Sequence, residues 1–142
     1  MKKADVIEFR KKMEQVFEKA APNMNQDEMI LAKDLCKPWT PGSHLAGEHY
    51  TANKQLWTCF QPYNNAVYPD VKPGSAAWGT FNKPYHGTTK ETALPWVAPT
   101  GAHDMYQAGE YMVFTDGMIY LCVEATNFSP EEYAPAWEVQ GE

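Results

Sequence analysis

The N-terminal segment has an apolar pattern typical of a helix. Between residues 4 and 20, apolar side chains recur every three or four positions, and charged residues fill most of the positions between them. This period predicts an amphipathic helix that ends before Pro22. The apolar stripe consists of Val6, Phe9, Met13, Val16 and Ala20, widened by Ile7 and Phe17.

A second, shorter helix is predicted directly after the first. Asn25 and Glu28 have the spacing of a capping pair, and apolar residues continue to Leu35 before Pro38 ends the pattern. The two helices would form a hairpin whose apolar seam is only about two heptads long. Packing on the following β-structure and self-association of the hairpins are both compatible with such a seam.

From Trp39 onward the pattern changes to that of short strands. Residues 111–114 and 118–123 are apolar runs on either side of a turn containing Asp116-Gly117, a sequence typical of tight β-hairpins. Residues 49–51 and 55–59 repeat this pattern around Asn53-Lys54. A final short strand is predicted at 78–81 in the first unit and at 137–139 in the second.

The same order of motifs occurs twice between residues 39 and 139. An opening Trp, a Gly-Glu pair, an aromatic-x-Cys strand and a closing Trp recur at offsets of 57, 62, 63 and 59 residues. Constant order with variable offsets indicates a duplicated small module that has acquired insertions. The equivalent pairs are Trp39 and Trp96, Gly47 and Gly109, Cys59 and Cys122, and Trp78 and Trp137.

These patterns predict a mainly β fold with an N-terminal helical segment, in which two small three-stranded antiparallel modules stand in tandem. The predicted division is a helical adaptor over residues 1–36, a first module over 37–81, a connector over 82–94 and a second module over 95–142. Modules of this size are near the lower limit for independent stability. We therefore expect the two copies to pack on each other or on partner chains.

Composition adds aromatic cores to this description and excludes some functions. The 142 residues include five Trp, eight Tyr and six Phe, and each such ring buries roughly 150–250 Å².

A net charge of −6 argues against nucleic acid as a partner. No apolar run approaches the roughly 18 residues of a membrane span, and charges interrupt the N-terminus. Neither membrane insertion nor a signal peptide is predicted.

No catalytic site, metal or cofactor is predicted. Cys36, Cys59 and Cys122 have no Cys-x-x-Cys spacing, and the last two occupy equivalent positions, which favours free buried thiols. Adjacent carboxylates such as Glu131-Glu132 do not suggest the pair about 5–9.5 Å apart across a cleft that glycoside hydrolysis needs. Motifs for a nucleophilic Ser, a phosphate loop or a zinc protease do not occur. We expect the protein not to be an enzyme.

The repeated motifs resemble the carbohydrate-binding modules of families 5 and 12, the chitin-binding type 3 class. Those modules carry a Gly-Asp pair, a Tyr-x-Cys strand and a Trp-Glu-Pro loop before a closing Pro-Ala-Leu-Trp. The resemblance extends over residues 39–139 and implies non-catalytic binding of chitin or a cell-wall polysaccharide. The corresponding residues are Gly47-Glu48 and Gly109-Glu110, Trp57-Thr58-Cys59 and Tyr120-Leu121-Cys122, and Phe128-Ser129-Pro130.

The arrangement of the whole chain is similar to small proteins of phage and prophage tails. In those proteins a helical N-terminus leads into a Lys-x-Trp-x-x-Gly module, matched here at residues 37–42, and Pro-Thr-Gly-Ala-His-Asp opens a second, matched at 99–104. The similarity implies a tail or tail-fibre accessory, located in the virion or outside the cell. Its implied partners are a host cell-surface glycan, other tail proteins and copies of itself. The symmetry of many tail fibres favours a trimer.

Two other interpretations are kept. The protein could be a structural assembly protein whose modules no longer bind sugar, or the accessory binding region of a secreted glycoside hydrolase.

Aromatic rings in the Pro-rich loops are the candidate sugar-binding residues. A sugar-binding module stacks the apolar face of a pyranose on an exposed ring, and rings in these loops have less core to enter. Phe128 lies nine residues before Trp137, where the related modules have their sugar-stacking Trp. The tryptophans at equivalent positions are instead expected in the cores. The candidates are Phe128 and Tyr133 in the second module and Tyr68 and Tyr63 in the first.

Overall fold

A computed structural model of the chain describes residues 2–141 and contains an N-terminal helical segment followed by three small sheets. The helices are α1 (Lys3–Ala20), α2 (Gln26–Leu31) and the short α3 (Trp78–Phe81). Single 3₁₀ turns cover Ala21–Asn23, Lys33–Leu35, Ala102–Asp104 and Ala134–Ala136. The strands are β1 (Ser43–His44), β2 (His49–Ala52), β3 (Gln55–Cys59), β4 (Tyr63–Asn64), β5 (Asn82–Pro84), β6 (Leu94–Pro95), β7 (Tyr111–Val113), β8 (Ile119–Cys122) and β9 (Trp137–Gln140).

This architecture confirms a mainly β fold with an N-terminal helical segment. In the first module, β2, β3 and β5 form a three-stranded antiparallel sheet, and β1 pairs with β4 beside it. The predicted turn joins β2 to β3: Asn53 and Lys54 have φ angles of 54° and 63°, the left-handed conformation that a tight hairpin requires. Within the described residues, no helix is long and apolar enough to cross a membrane.

The last strand of the first module differs from the prediction. Residues 78–81 form the short helix α3, and the strand that pairs with β3 follows at residues 82–84, within the predicted connector. The Asn82 side chain donates to the carbonyl oxygen of Trp78 at 3.3 Å and accepts from the Tyr50 hydroxyl. Because Asn82 is buried and bonded on both sides, it fixes the start of the strand, and the Trp78 ring reaches the core from the helix instead.

The second module has a fourth strand that the sequence did not predict. The hairpin of β7 and β8 and the strand β9 form as expected, but β6 pairs with β7 in parallel. The first module has the same feature in reduced form, because Pro38 makes a parallel bridge to Thr51. In each module the backbone N–H of the opening Trp donates to the first hairpin strand, Trp39 to Thr51 at 2.9 Å and Trp96 to Val113 at 2.8 Å.

The two modules share their hydrogen bonds around the equivalent cysteines. Each thiol donates to the carbonyl two residues later, at 3.1 Å in both Cys59 and Cys122. The carbonyls of the same cysteines accept from Gly47 and Gly109, both at 2.8 Å. Cys59 and Cys122 are free and buried, as predicted, and Cys36 is free and buried as well. The repeat read from the sequence is therefore a repeat of backbone structure.

The Gly-Glu pairs have a structural role in this repeat. The carboxylate of Glu48 accepts from the backbone N–H of Leu45, and that of Glu110 accepts from the N–H of Gln107 at 2.7 Å. In both modules this closes the turn that precedes the first hairpin strand. Each glutamate also lies beside a buried histidine: His44 contacts Glu48 at 3.3 Å and His86 contacts Glu110 at 2.9 Å.

Each module has its own aromatic core, and a third cluster joins the helical segment to both. In both modules the opening and closing tryptophans meet edge to face, with ring centroids 5.6 Å apart for Trp39 and Trp78 and 6.0 Å apart for Trp96 and Trp137. The third cluster combines Phe17, Met29 and Ile30 of the helices with Leu56 and Leu94 of the two modules. The helical segment is thus packed against the β-structure.

The apolar stripe of α1 lies mostly outside this packing. Phe17 is buried, but Val6, Phe9 and Val16 are 50%, 58% and 61% exposed. Of the two explanations for the seam, packing on the first module therefore accounts only for the Phe17 side.

The predicted capping pair forms at the start of α2. Glu28 N–H donates to Asn25 Oδ1 at 2.8 Å, and Asn25 N–H donates to Glu28 Oε1 at 2.9 Å.

The connector is tied to α2. The Asp27 carboxylate accepts from the Thr88 backbone N–H at 2.7 Å, from the Thr88 hydroxyl, and from the Thr92 hydroxyl at 2.7 Å.

Gly87 of the connector passes so close to Thr92 that a Cβ atom at Gly87 would lie 2.1 Å from the Thr92 carbonyl oxygen. Only glycine fits at this position. The carbonyl of Gly87 accepts from the N–H of Tyr111 at 2.8 Å, which attaches the connector to the second module.

Candidate functional site

The loop before β9 holds the backbone of Phe128 on two sides. Its N–H donates to the Thr126 hydroxyl at 3.0 Å, and its carbonyl accepts from the indole N–H of Trp137 at 2.9 Å. The Phe128 ring itself is 55% exposed. A ring presented by an already ordered backbone loses little conformational entropy when it binds a ligand. The loop therefore presents an ordered ring that is about half exposed.

The next turn orders Tyr133. Ser129 and Glu132 bond reciprocally, with Ser129 N–H donating to Glu132 Oε1 at 3.0 Å and Glu132 N–H donating to the Ser129 hydroxyl at 3.2 Å. The N–H of Tyr133 donates to the carbonyl of Ser129 at 2.8 Å. The Tyr133 ring is 40% exposed. The second module thus presents two rings, Phe128 and Tyr133, from one loop.

In the first module, the loop between β4 and α3 presents Tyr68. The side-chain amide of Asn65 donates to the carbonyls of Tyr68 at 3.2 Å and Val71 at 2.7 Å, which braces the loop from inside. The Tyr68 ring is 50% exposed and lies against Phe81 at a centroid distance of 5.5 Å. One face of Tyr68 is therefore supported by the protein while half of its surface remains in solvent.

Tyr63 does not belong to this surface. Its ring is 4% exposed, and its hydroxyl accepts from the Trp39 indole at 2.9 Å and lies 3.0 Å from the Tyr50 hydroxyl. Strand pairing explains the difference, because Tyr63 is opposite His44 in the β1–β4 pair and points into the aromatic core. The prediction that Tyr63 binds sugar is therefore wrong, because Tyr63 belongs to the core of the first module.

A groove beside the Tyr68 loop was not anticipated from the sequence. It has a volume of about 330 Å³ and includes Trp39, Pro41 and Pro69 in its walls. Trp39 was expected in the core, but its ring is only half-buried.

The ionisable groups near these loops make local hydrogen bonds. In the part of the chain that the structure describes, no group of three or more His, Cys, Asp or Glu side chains could hold a metal ion. Around Tyr120, the Asp116 carboxylate accepts from the hydroxyl at 2.7 Å; this hydrogen bond raises the pKa of Tyr120 and lowers that of Asp116.

Comparison with known proteins does not assign the chain to a family. No protein-family model matches it, and no curated protein is significantly similar to it.

Proposed function

We propose that the protein is a non-catalytic carbohydrate-binding protein that recognises chitin or another cell-wall polysaccharide. The observation that carries the proposal is the exposure of Phe128 on a backbone fixed at both its N–H and its carbonyl. Tyr133 and Tyr68 supply further exposed rings on braced loops. Because the loop backbones are already ordered, these rings can stack on the weakly apolar faces of pyranose rings with little loss of conformational entropy.

The arrangement further supports a role as a phage or prophage tail accessory, located in the virion or outside the cell. Two modules would each contribute a weak sugar contact, and several chains held together would multiply those contacts. The helical segment supplies a means of holding chains together. Val6 and Met13 fall on heptad a positions and Phe9 and Val16 on d positions, and the stripe is exposed. We propose self-association through this stripe, as a trimer.

The charged residues that flank the stripe support binding of the stripe to parallel copies of the same helix. Asp5 and Arg10 lie at the g and e positions that flank the stripe, and in a parallel bundle the g position of one chain meets the following e position of its neighbour. Opposite charges would then be adjacent at this one level of each helix contact, where Arg10 also bonds to Glu14 and to the carbonyl of Asp34 within its own chain. The burial of Phe17 keeps α1 attached to the β-structure, so the helix is ordered before the chains associate.

The exposed stripe also favours a second candidate function. A structural assembly protein whose modules no longer bind sugar would keep the stripe for contact with copies of itself or with another virion protein. Such a protein would associate in solution yet show no retention on polysaccharide. The presence or absence of polysaccharide retention therefore decides between the two functions.

The test of sugar binding is retention of the full chain on insoluble chitin, cellulose and host cell wall. Replacing both loop rings, Phe128→Ala with Tyr68→Ala, should weaken retention at least tenfold while changing the free energy of unfolding by no more than about 1 kcal/mol, as for exposed residues. Neighbouring exposed positions on the same loops provide the controls Asn127→Ala and Val67→Ala, which should retain normally. Unchanged retention in the double variant would place the sugar contact elsewhere, and no retention of the wild-type chain would favour the assembly function.

A further inference from the structure

A cleft of about 370 Å³ lies between the two modules, a size common among small-molecule sites. Trp57 and Trp78 of the first module and Trp96 of the second are in its walls. The modules approach closely at one edge, where a Cβ atom on Gly79 would lie 2.7 Å from a methyl carbon of Thr100. None of the exposed loop rings lines this cleft, so it is separate from the site described above.

The cleft wall contains a buried hydrogen-bond donor without an acceptor. Trp78 is 4% exposed, and its indole N–H has no partner among the described residues. The equivalent Trp137 packs in the same edge-to-face contact but donates its N–H to Phe128. The indoles of Trp39 and Trp57 also have acceptors. An unpaired buried donor destabilises the fold, so an acceptor supplied from the cleft would recover free energy.

The remaining walls specify a neutral, polar ligand. Asp104 is the one ionisable residue among those that line the cleft. Its carboxylate already accepts from the backbone N–H groups of Thr100 at 2.9 Å and Gly101 at 3.0 Å, and from the Thr100 hydroxyl at 3.0 Å. These bonds occupy both carboxylate oxygens, so neither is free to coordinate a cation. The half-buried Trp96 offers an apolar ring face beside the largely buried Trp57 and Trp78, and the exposed Asn53 offers an amide.

We propose that this cleft binds one uncharged pyranose unit, with a ring face against the tryptophans and a hydroxyl oxygen accepting from the indole N–H of Trp78. The choice of a sugar rests on the proposed function. The cleft would hold a chain end or a branch, whereas the loop rings would contact the length of a polysaccharide. Recognition of a chain end would add specificity to the weak, repeated contacts of the loops.

The test is a titration of the full chain with cellobiose and chitobiose, followed by tryptophan emission. We expect at least one of these disaccharides to change the emission saturably in the millimolar range or below, and to raise the temperature of unfolding. Ala76 lines the cleft and is exposed, so Ala76→Phe should fill the space and weaken binding at least tenfold. Ala108→Phe, at an exposed turn outside the cleft, is the matched control and should bind normally.

A second variant tests the indole donor without filling the cleft. Trp78→Phe keeps a ring and removes the N–H, and should weaken disaccharide binding about tenfold, the effect of one lost hydrogen bond. Binding that is unaffected by both Ala76→Phe and Trp78→Phe would overturn the proposal.

The outcomes also separate this site from the proposed function. Polysaccharide retention that depends on Phe128 and Tyr68, with no disaccharide binding, would overturn the cleft proposal and leave the proposed function standing. Disaccharide binding that Ala76→Phe abolishes, without any effect of the loop rings on retention, would establish the cleft and reject the loop site. Absence of both retention and disaccharide binding would reject both proposals.

Discussion

Burial determines the chemistry of the three cysteines one residue at a time. Burial raises the pKa of Cys36 to about 12, with the nearby Glu18 and Asp34 raising it further. Burial likewise raises the pKa of Cys59 and Cys122, more than the hydrogen bonds of their thiols lower it. A thiol that stays protonated is a poor nucleophile. The cysteines therefore act as small core residues.

We expect all three thiols to be unreactive in the folded protein. At about pH 8, where an ordinary thiol is partly ionised, a chromogenic disulfide reagent should show no fast phase. The same reagent should titrate all three thiols after unfolding without a reductant, because the cysteines are free. Fewer thiols in the unfolded chain would indicate a disulfide and contradict the equivalent, unpaired positions of Cys59 and Cys122.

Residue patterns in the sequence separated core rings from surface rings only in part. The exposure of Phe128, Tyr133 and Tyr68 agrees with their predicted surface position in Pro-rich loops. Tyr63 lies in the same kind of sequence, but pairing with residues twenty positions earlier turns it inward. A two-residue strand pair leaves too short an alternation to recognise in a sequence. Trp39 shows the opposite error, because it was expected in the core and is only half-buried.

At the scale of elements, the hairpins were predictable and their edges were not. The Asp116-Gly117 and Asn53-Lys54 turns are local signals, and both hairpins form around them. The parallel strand β6 depends on residues distant in sequence, and its Leu-Pro dipeptide carries no strand pattern. Similarly, α3 replaces a predicted strand because the buried Asn82 bonds to both Tyr50 and Trp78.

The contact between α2 and the connector leads to a prediction about pH. Burial raises the pKa of Asp27, but the hydrogen bonds from Thr88 and Thr92 outweigh it, so the pKa lies below its ordinary value of 3.8. A lowered pKa means that the charged carboxylate stabilises the fold above that ordinary value, and that this contribution is lost as pH falls through the folded-state pKa.

Asp27→Asn should therefore lower the free energy of unfolding by about 1–2 kcal/mol at neutral pH, the difference between hydrogen bonds to a charged group and to a neutral one. The difference from wild type should shrink as the pH falls below about 4, where the wild-type carboxyl also loses its charge. Denaturant unfolding at several pH values measures this. Asp34→Asn, at an exposed acidic residue of the same segment, is the control. A difference that stays constant with pH would show that the charge contributes nothing.

At the scale of the whole molecule, the sequence indicated the modular order but not how the parts are joined. The duplication was visible because equivalent residues keep their order. The cluster in which Phe17 and Met29 meet Leu56 and Leu94 could not be derived, since each of these residues fits equally well in a core of its own segment. The cleft between the modules depends on the same docking. Sites formed between repeats are therefore the part of this protein that sequence patterns missed.

Self-association is the prediction that belongs to this scale. Light scattering at high micromolar concentration should report about three times the chain mass of 16.1 kDa. Phe9→Gln with Val16→Gln should yield monomers with unchanged module stability, because both side chains are exposed. Ile7→Gln, equally exposed but off the heptad positions, should remain associated. A wild-type monomer would refute the stripe as an interface, and a stable dimer would refute the trimer alone.

The attachment of Asp27 to Thr88 and Thr92 has a mechanical consequence. Residues 28–87, which include the first module, lie inside a loop closed by these contacts. If α1 is anchored in an assembly and the second module is bound to a surface, a pulling force between them is carried by the Asp27 contacts. That force then does not act on the first module. Once those contacts break and the first module unfolds, the enclosed residues can extend by as much as about 200 Å. The first module would then act as a reserve of length between the assembly and the surface.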